Sequence, residues 1–211
     1  MSRLEYFFRP ASVAIIGASR KEGSLGKMFI DALQKMPFSG RIYPVNPKAE
    51  IINDLRCFPD IASLPETPQL AVVLLPSSLV PGSMDDMGRA GIKQVIIVTA
   101  GFRETGDDGR KREEQVMQTA RQYGMRVLGP NCMGVFNTDS RVQFNGTFSP
   151  LAPNAGNVAF ISQSGALGVG VLELSQNSDI GFSIFASTGN KADVGETEIL
   201  EFLYRDQNTS V

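Results

Sequence analysis

Apolar and polar positions alternate along this chain in a way that predicts strands and helices in turn. Val13-Ala14-Ile15-Ile16 is a short apolar run, rich in β-branched residues, that stops at Gly17; such runs belong to strands buried on both faces. Beyond a polar loop, Leu25, Met28, Phe29, Ala32, Leu33 and Met36 recur at helical spacing until Pro37, so residues 13–36 read as strand, loop, helix. The alternation continues with predicted strands at 41–45, 70–75, 94–98 and 126–128. A helical turn is expected at 60–64, with helices at 81–90 and 109–123, the last showing Val116, Ala120 and Tyr123 on one face. Strands alternating with helices predict an α/β fold, a parallel sheet covered on both faces.

The rhythm breaks over residues 137–156. Asn137-Thr138-Asp139-Ser140 and the proline-containing span 149–156 read as a connection. It restarts with strands at 158–161 and 182–186. Between them lies a helix lined by Leu167, Val171 and Leu174, and after them one lined by Ile199, Phe202 and Leu203. The expected division is a first domain at 1–135, a linker at 136–156 and a second domain from 157 to 211. Two strand–helix units cannot bury both faces of a sheet, so the second domain is expected to be incomplete, the chain being truncated within it.

Composition narrows the chemistry. Hydrophobic residues make up 42% of the 211, enough to fill a core. A net charge of −2 gives no reason to expect nucleic acid or an anionic membrane surface as partner. No apolar run reaches the roughly 18 residues of a membrane span, and the first residues lack the apolar region of a secretory signal. Cys57 and Cys132 match no metal spacing, and no metal site is expected; with no signal they point to a reducing cytoplasm. The chain contains no histidine, which removes histidine metal sites, histidine-based triads and any imidazole base.

Candidate chemistry gathers where predicted strands end. The loop from Gly17 through Ala18, Ser19, Arg20, Lys21 and Gly23 to Gly26 joins the first strand to the first helix, where such sheets place an anion on free amides and the helix dipole. Gly17 would allow a tight exit, Gly23 close approach to a ligand and Gly26 close helix packing, while Arg20 and Lys21 add positive charge. The spacing is neither the dinucleotide fingerprint nor a P-loop. Asn46-Pro47-Lys48 ends the second strand, where a nicotinamide dinucleotide site needs an acid for the ribose hydroxyls; the lysine favours a phosphorylated ribose or another anion. Thr99-Ala100-Gly101 ends the fourth strand and faces the same crevice. In Gly129-Pro130-Asn131-Cys132-Met133-Gly134 the thiol has no evident partner to activate it and reads as packed. Ser162-Gln163-Ser164-Gly165-Ala166-Leu167 repeats the strand–turn–helix arrangement, with Ser164 as helix cap; without a histidine it is not a serine-hydrolase elbow.

Taken as an ordered set, Ile16-Gly17-Ala18-Ser19, Pro44-Val45-Asn46-Pro47-Lys48, Thr99-Ala100-Gly101-Phe102, Gly129 through Gly134, Ile161-Ser162-Gln163-Ser164-Gly165-Ala166 and Gly189-Asn190-Lys191-Ala192-Asp193-Val194 resemble the NDP-forming acyl-CoA synthetases. These include the ADP-forming acetyl-CoA synthetases and are relatives of the succinyl-CoA synthetase α subunit. The resemblance covers nearly the whole chain. It implies a Rossmann-like CoA-binding domain followed by the start of a flavodoxin-like ligase domain. The Gly17 loop would hold CoA phosphates or adenosine, with Asn46 beside it, and Lys48 would pair with a phosphate. Thr99, Ala100 and Gly101 would line the groove, Asn131 would sit near the thiol end, and Ser164, Gly165 and Ala166 would receive phosphate during transfer. No catalytic residue is expected within the chain: the family's phosphohistidine lies further on. ATP, ADP and Mg2+ would enter only through an ATP-grasp part or subunit outside these residues. The intact enzyme would be an oligomer, and this chain alone would bind CoA without turnover. Three other readings remain open. They are the acyl-CoA-sensing region of a protein lysine acetyltransferase, a stand-alone CoA-binding module, and a nicotinamide dehydrogenase, which the loop spacing and Lys48 oppose.

Overall fold

The computed structural model describes residues 4–210. A short helix, α1 (Glu5–Phe8), precedes strand β1 (Ser12–Ile16), helix α2 (Leu25–Lys35) and strand β2 (Arg41–Val45). A two-residue ladder, β3 (Ile51–Ile52) with β4 (Leu55–Arg56), comes next. Then follow β5 (Leu70–Val73), α3 (Val80–Arg89), β6 (Gln94–Ile97), α4 (Asp107–Tyr123) and β7 (Arg126–Leu128). The five longer strands form one parallel sheet in the order β2-β1-β5-β6-β7. The order turns about β1, so connections leave to both sides and a crevice opens at the carboxyl ends of β1 and β5.

Burial explains why these runs became strands. β1, β5 and β6 are buried at every position. Val13 and Ile15 face one apolar cluster with Phe29, Leu33 and Val72, while Ala14 and Ile16 face another with Val73, Met84 and Val116. β2 carries Pro44 opposite Ile15, which an edge strand tolerates because its outer N–H needs no partner. α2 starts at Ser24, whose hydroxyl accepts from Lys27 N. α4 stops at Gly124, which adopts a left-handed φ of 62°, the usual helix terminator.

A second sheet follows from β8 (Gly134–Asn137), β9 (Phe144–Thr147), β10 (Ala155–Ser162), α5 (Gly165–Ser175), β11 (Phe182–Ser187) and α6 (Glu196–Leu203). Its order is β10-β11-β8-β9: β10 and β11 are parallel, while β8 is antiparallel to both β11 and β9. The stretch 136–156, expected to be a linker, therefore carries the end of β8, all of β9 and the start of β10. The polar span after β2 holds the small β3–β4 ladder, and residues 60–64 form a single turn closed by Ser63 N on Asp60 Oδ1 (2.8 Å) and Leu64 N on Ile61 O (3.3 Å). The apolar cluster on the α2 face continues without a break into Val135, Phe144 and Ile184 of the second sheet and Ile199 and Phe202 of α6. No helix of the described residues is long and apolar enough to cross a membrane.

Candidate functional site

Gly17 leaves β1 with φ at 92°, and a Cβ there would lie 3.1 Å from Leu74 C and Leu75 N at the end of β5. Gly26 is buried in the first turn of α2, where a Cβ would collide with the Gly17 carbonyl oxygen. The helix thus begins directly on the strand exit. Ser24 Oγ accepts from Lys27 N (3.3 Å) and donates to Lys21 O (2.6 Å), while Ser19 Oγ accepts from Lys21 N (3.1 Å). Helix geometry leaves the amides of Leu25 and Gly26 without an intrahelical acceptor. They open toward the loop at the positive end of the helix dipole. Gly23 has open space around it and a φ of 73°, a left-handed conformation that favours glycine.

Asn46 ties the end of β2 to this loop. Its Nδ2 donates to Ala18 O (2.7 Å) and its Oδ1 accepts from Lys48 N (2.8 Å), so both ends of its carboxamide serve the scaffold. Arg20 reaches the Lys48 carbonyl (3.5 Å), bringing two exposed cations to one mouth. Among the described residues no carboxylate pairs with either. Below them lies a pocket of about 550 Å³ whose walls include Gly17, Asn46, Lys48, Ile61, Leu75 and Ser83. Lys48, Asp60 and Asp86 are the charged residues of its lining and the rest is largely apolar, which suits a flat ring.

Thr99, Ala100, Gly101 and Asn131 do not line that pocket. They lie further along the same carboxyl edge, since sheet order sets the strand ends in the sequence Lys48, Gly17, Leu75, Thr99, Asn131. At about 4.8 Å per strand this edge runs about 19 Å from β2 to β7. Thr99 Oγ1 donates to Leu75 O (2.7 Å), and Asn131 N donates to Thr99 O (3.0 Å). The amides of Gly101 (2.6 Å) and Phe102 (3.0 Å) both donate to Glu104 Oε1, and Ala100 before them is exposed. Cys132 is buried with its Sγ 3.4 Å from Ile97 O, and burial pushes its pKa up to about 12. It is a packing thiol, not a nucleophile.

The second strand–turn–helix unit builds a like terminus. Ser164 Oγ accepts from Leu167 N (3.3 Å), and Ser162 Oγ both accepts from Ser164 N and donates to Ser164 O (3.1 Å each). The amides of Gly165 and Ala166 have no intrahelical acceptor, and Ser164 and Ala166 are exposed. Gly165 sits against Met133, where a Cβ would be 3.1 Å from that side chain. The Gly129–Gly134 loop therefore separates the Thr99–Gly101 turn from α5. A polar cluster that the sequence did not reveal ties the region after β6 to the loop after β11: Arg103, Glu104, Glu113 and Asn131 all converge on Asn190. No sequence pattern marks these acids, because the residue they meet lies nearly 80 positions or more downstream. Among the described residues no group of three or more potential metal ligands is found.

Comparison with known proteins matches residues 11–138 to the family described as CoA binding domain and residues 155–211 to the family described as Succinyl-CoA ligase like flavodoxin domain. The chain is 41% identical, over 99% of its length, to "Acetate--CoA ligase [ADP-forming] I" of Archaeoglobus fulgidus, spanning 30% of that protein. It is 40% identical, over 95% of its length, to "Acetate--CoA ligase [ADP-forming] II subunit alpha" of Pyrococcus furiosus, spanning 43% of it. The apo dinucleotide forming acetyl-coenzyme A synthetase 1 of Ca. Korarchaeum cryptofilum superposes with a TM-score of 0.93 at 40% identity, covering 98% of this chain and 44% of that one. The chain thus spans less than half the length of each.

Proposed function

The chain belongs to the CoA binding domain family, joined to a succinyl-CoA ligase-like flavodoxin region as in ADP-forming acetate–CoA ligases, and from that premise we propose that it is the CoA-holding part of an acid–thiol ligase. In this reading the amides at the start of α2, with Gly17, Ala18, Ser19 and Gly23, cradle CoA phosphates. Arg20 and Lys48 neutralise them, and Asn46 keeps the two strand ends in register. The pocket beneath takes the adenine. The remaining arm runs past Thr99, Ala100 and Gly101 toward Asn131. Ser164, Gly165 and Ala166 at the start of α5 offer amides to a transferred phosphoryl group.

The parent enzyme would join a carboxylate to CoA while converting ATP to ADP. Since this chain has no histidine, the phosphoryl carrier, the nucleotide and its Mg2+ would be held by another part of the enzyme or by a partner subunit. A cytoplasmic, oligomeric enzyme fits this division, as does the relative named as a subunit alpha and the two free, buried cysteines.

The observation that carries the reading is Lys48, in the pocket lining at the end of β2, the position where a nicotinamide site would require an acid, with Arg20 reaching its carbonyl. Titration calorimetry tests it. CoA should bind, NAD and NADP should not, and Lys48→Ala should weaken CoA by about 1–2 kcal/mol, roughly five- to thirtyfold. Binding of NAD without binding of CoA would overturn the assignment.

A further inference from the structure

Asn190 sits in the loop after β11, is 6% exposed, and has every polar atom engaged by the first sheet's loops. Its N–H donates to Pro130 O (2.8 Å), and its carbonyl accepts from the Arg103 guanidinium. Its Nδ2 donates to Glu104 Oε2 (2.6 Å) and Glu113 Oε2 (2.9 Å), while its Oδ1 accepts from Asn131 Nδ2 (3.4 Å). Gly189 allows this approach: a Cβ there would collide with the carbonyls of Pro130 and Asn131. Glu104 spends its other oxygen on the amides of Gly101 and Phe102. One carboxylate therefore joins the turn at the end of β6 to a residue of the second sheet. It does so with an acceptor oxygen on each side, the arrangement an ionised carboxylate supplies. Burial raises the Glu104 pKa, but hydrogen bonds from Asn190, Phe102 and Gly101 outweigh it and hold the group below the ordinary glutamate value.

We propose that Glu104 is a positioning residue through which Asn190 of the second sheet shapes the wall that guides the thiol-bearing arm of CoA toward Asn131. The inference rests on the CoA reading above and assigns Glu104 and Asn190 a part in it. Because the Gly101 and Phe102 amides are consumed internally, the wall contributes shape rather than anion binding. The glycine loop and Lys48 lie three or more strand ends from Asn131 and do not depend on the link. A ligand carrying only the base and phosphates should not sense it.

The test compares CoA with adenosine 3′,5′-bisphosphate, which has the base, ribose and phosphates but no pantetheine arm. Glu104→Gln preserves size but turns an amide N–H2 toward donors on one side. Asn190→Ala removes the second sheet's half of the link. Calorimetry should show CoA weakened by about five- to tenfold in each variant, because the turn against the arm is no longer held in one position before binding, with the bisphosphate unchanged. Thermal unfolding of the exposed-site variant Glu104→Gln, within a few degrees of wild type, separates this loss from misfolding. Equal weakening of both ligands, or of neither, overturns the positioning role while leaving the CoA reading intact. Wild-type protein that binds neither ligand overturns the CoA reading itself, and this inference with it.

Discussion

Gly26 begins α2 where no side chain fits, and its neighbour in the clash is the Gly17 backbone carbonyl, which cannot swing aside. Gly26→Ala gains about 1 kcal/mol of helix propensity but must move the helix off the strand exit, an overpacking cost of about 1–3 kcal/mol. Net destabilisation in urea denaturation is expected, with weaker CoA binding because the first-turn amides move with the helix. Ser83 presents the opposite case. It is 8% exposed, lines the pocket, and its Oγ has no hydrogen-bond partner among the described residues. An unpartnered buried hydroxyl is a cost rather than an asset, so Ser83→Ala should leave stability unchanged or raise it by up to about 1 kcal/mol. A fall of that size in the urea midpoint would show that the hydroxyl is bonded in solution.

Elements differ in how plainly the sequence announces them. β1, β5 and β6 are buried on both faces, which leaves an uninterrupted apolar run that no loop would carry, and their carboxyl ends put Gly17, Leu75 and Thr99 along one edge. β8 and β9 were hidden because their polar residues are buried and hydrogen-bonded inside the fold. Asn137 Nδ2 donates to Phe8 O (3.2 Å), and Thr147 Oγ1 donates to Asn145 Oδ1 (2.8 Å). In sequence such residues read as a connection. The Glu104–Asn190 link was hidden for another reason, since only the folded chain brings residues 86 positions apart together. The turn between β8 and β9 is pinned by Asp139, whose side chain is 5% exposed. It accepts from Arg141 (2.7 Å) and from Asn208 Nδ2 (2.6 Å). The Arg141 hydrogen bond, working against burial, holds the Asp139 carboxyl well below the usual carboxylate range. Its stabilisation is therefore present above the unfolded pKa of about 3.9 and is lost as pH falls through the depressed folded value. Asp139→Asn should cost about 1–2 kcal/mol at pH 7, discounted toward the lower figure because Arg141 is exposed. Urea denaturation at pH 7, 4 and 3 checks the sign: the gap between wild type and variant should narrow only at the acid end.

Across the whole molecule, the short helix α1 joins the two sheets by touching both. Phe7 and Phe8 are 1% exposed within the cluster that runs from β1 to α6. The Phe8 ring stacks on Phe202 at 4.7 Å, its carbonyl accepts from Asn137 of β8, and the next residue, Arg9, pairs with Asp206 beyond α6. On the other side Arg126 of β7 reaches Asp193 (2.8 Å) and Glu198 (2.5 Å). A core shared in this way should unfold as one unit, because neither sheet can open without exposing apolar surface of the other. Phe8→Ala removes the stacked ring and leaves a cavity at the junction, a cost of about 3–5 kcal/mol. Native-state hydrogen exchange reads where that cost falls, through the amides of Val72 in β5 and Ile184 in β11. If the sheets form one cooperative unit, protection at both sites drops by the same factor in the variant. Loss at Ile184 with Val72 unchanged would mean that the second sheet opens independently, and that α1 secures its docking without supporting the first.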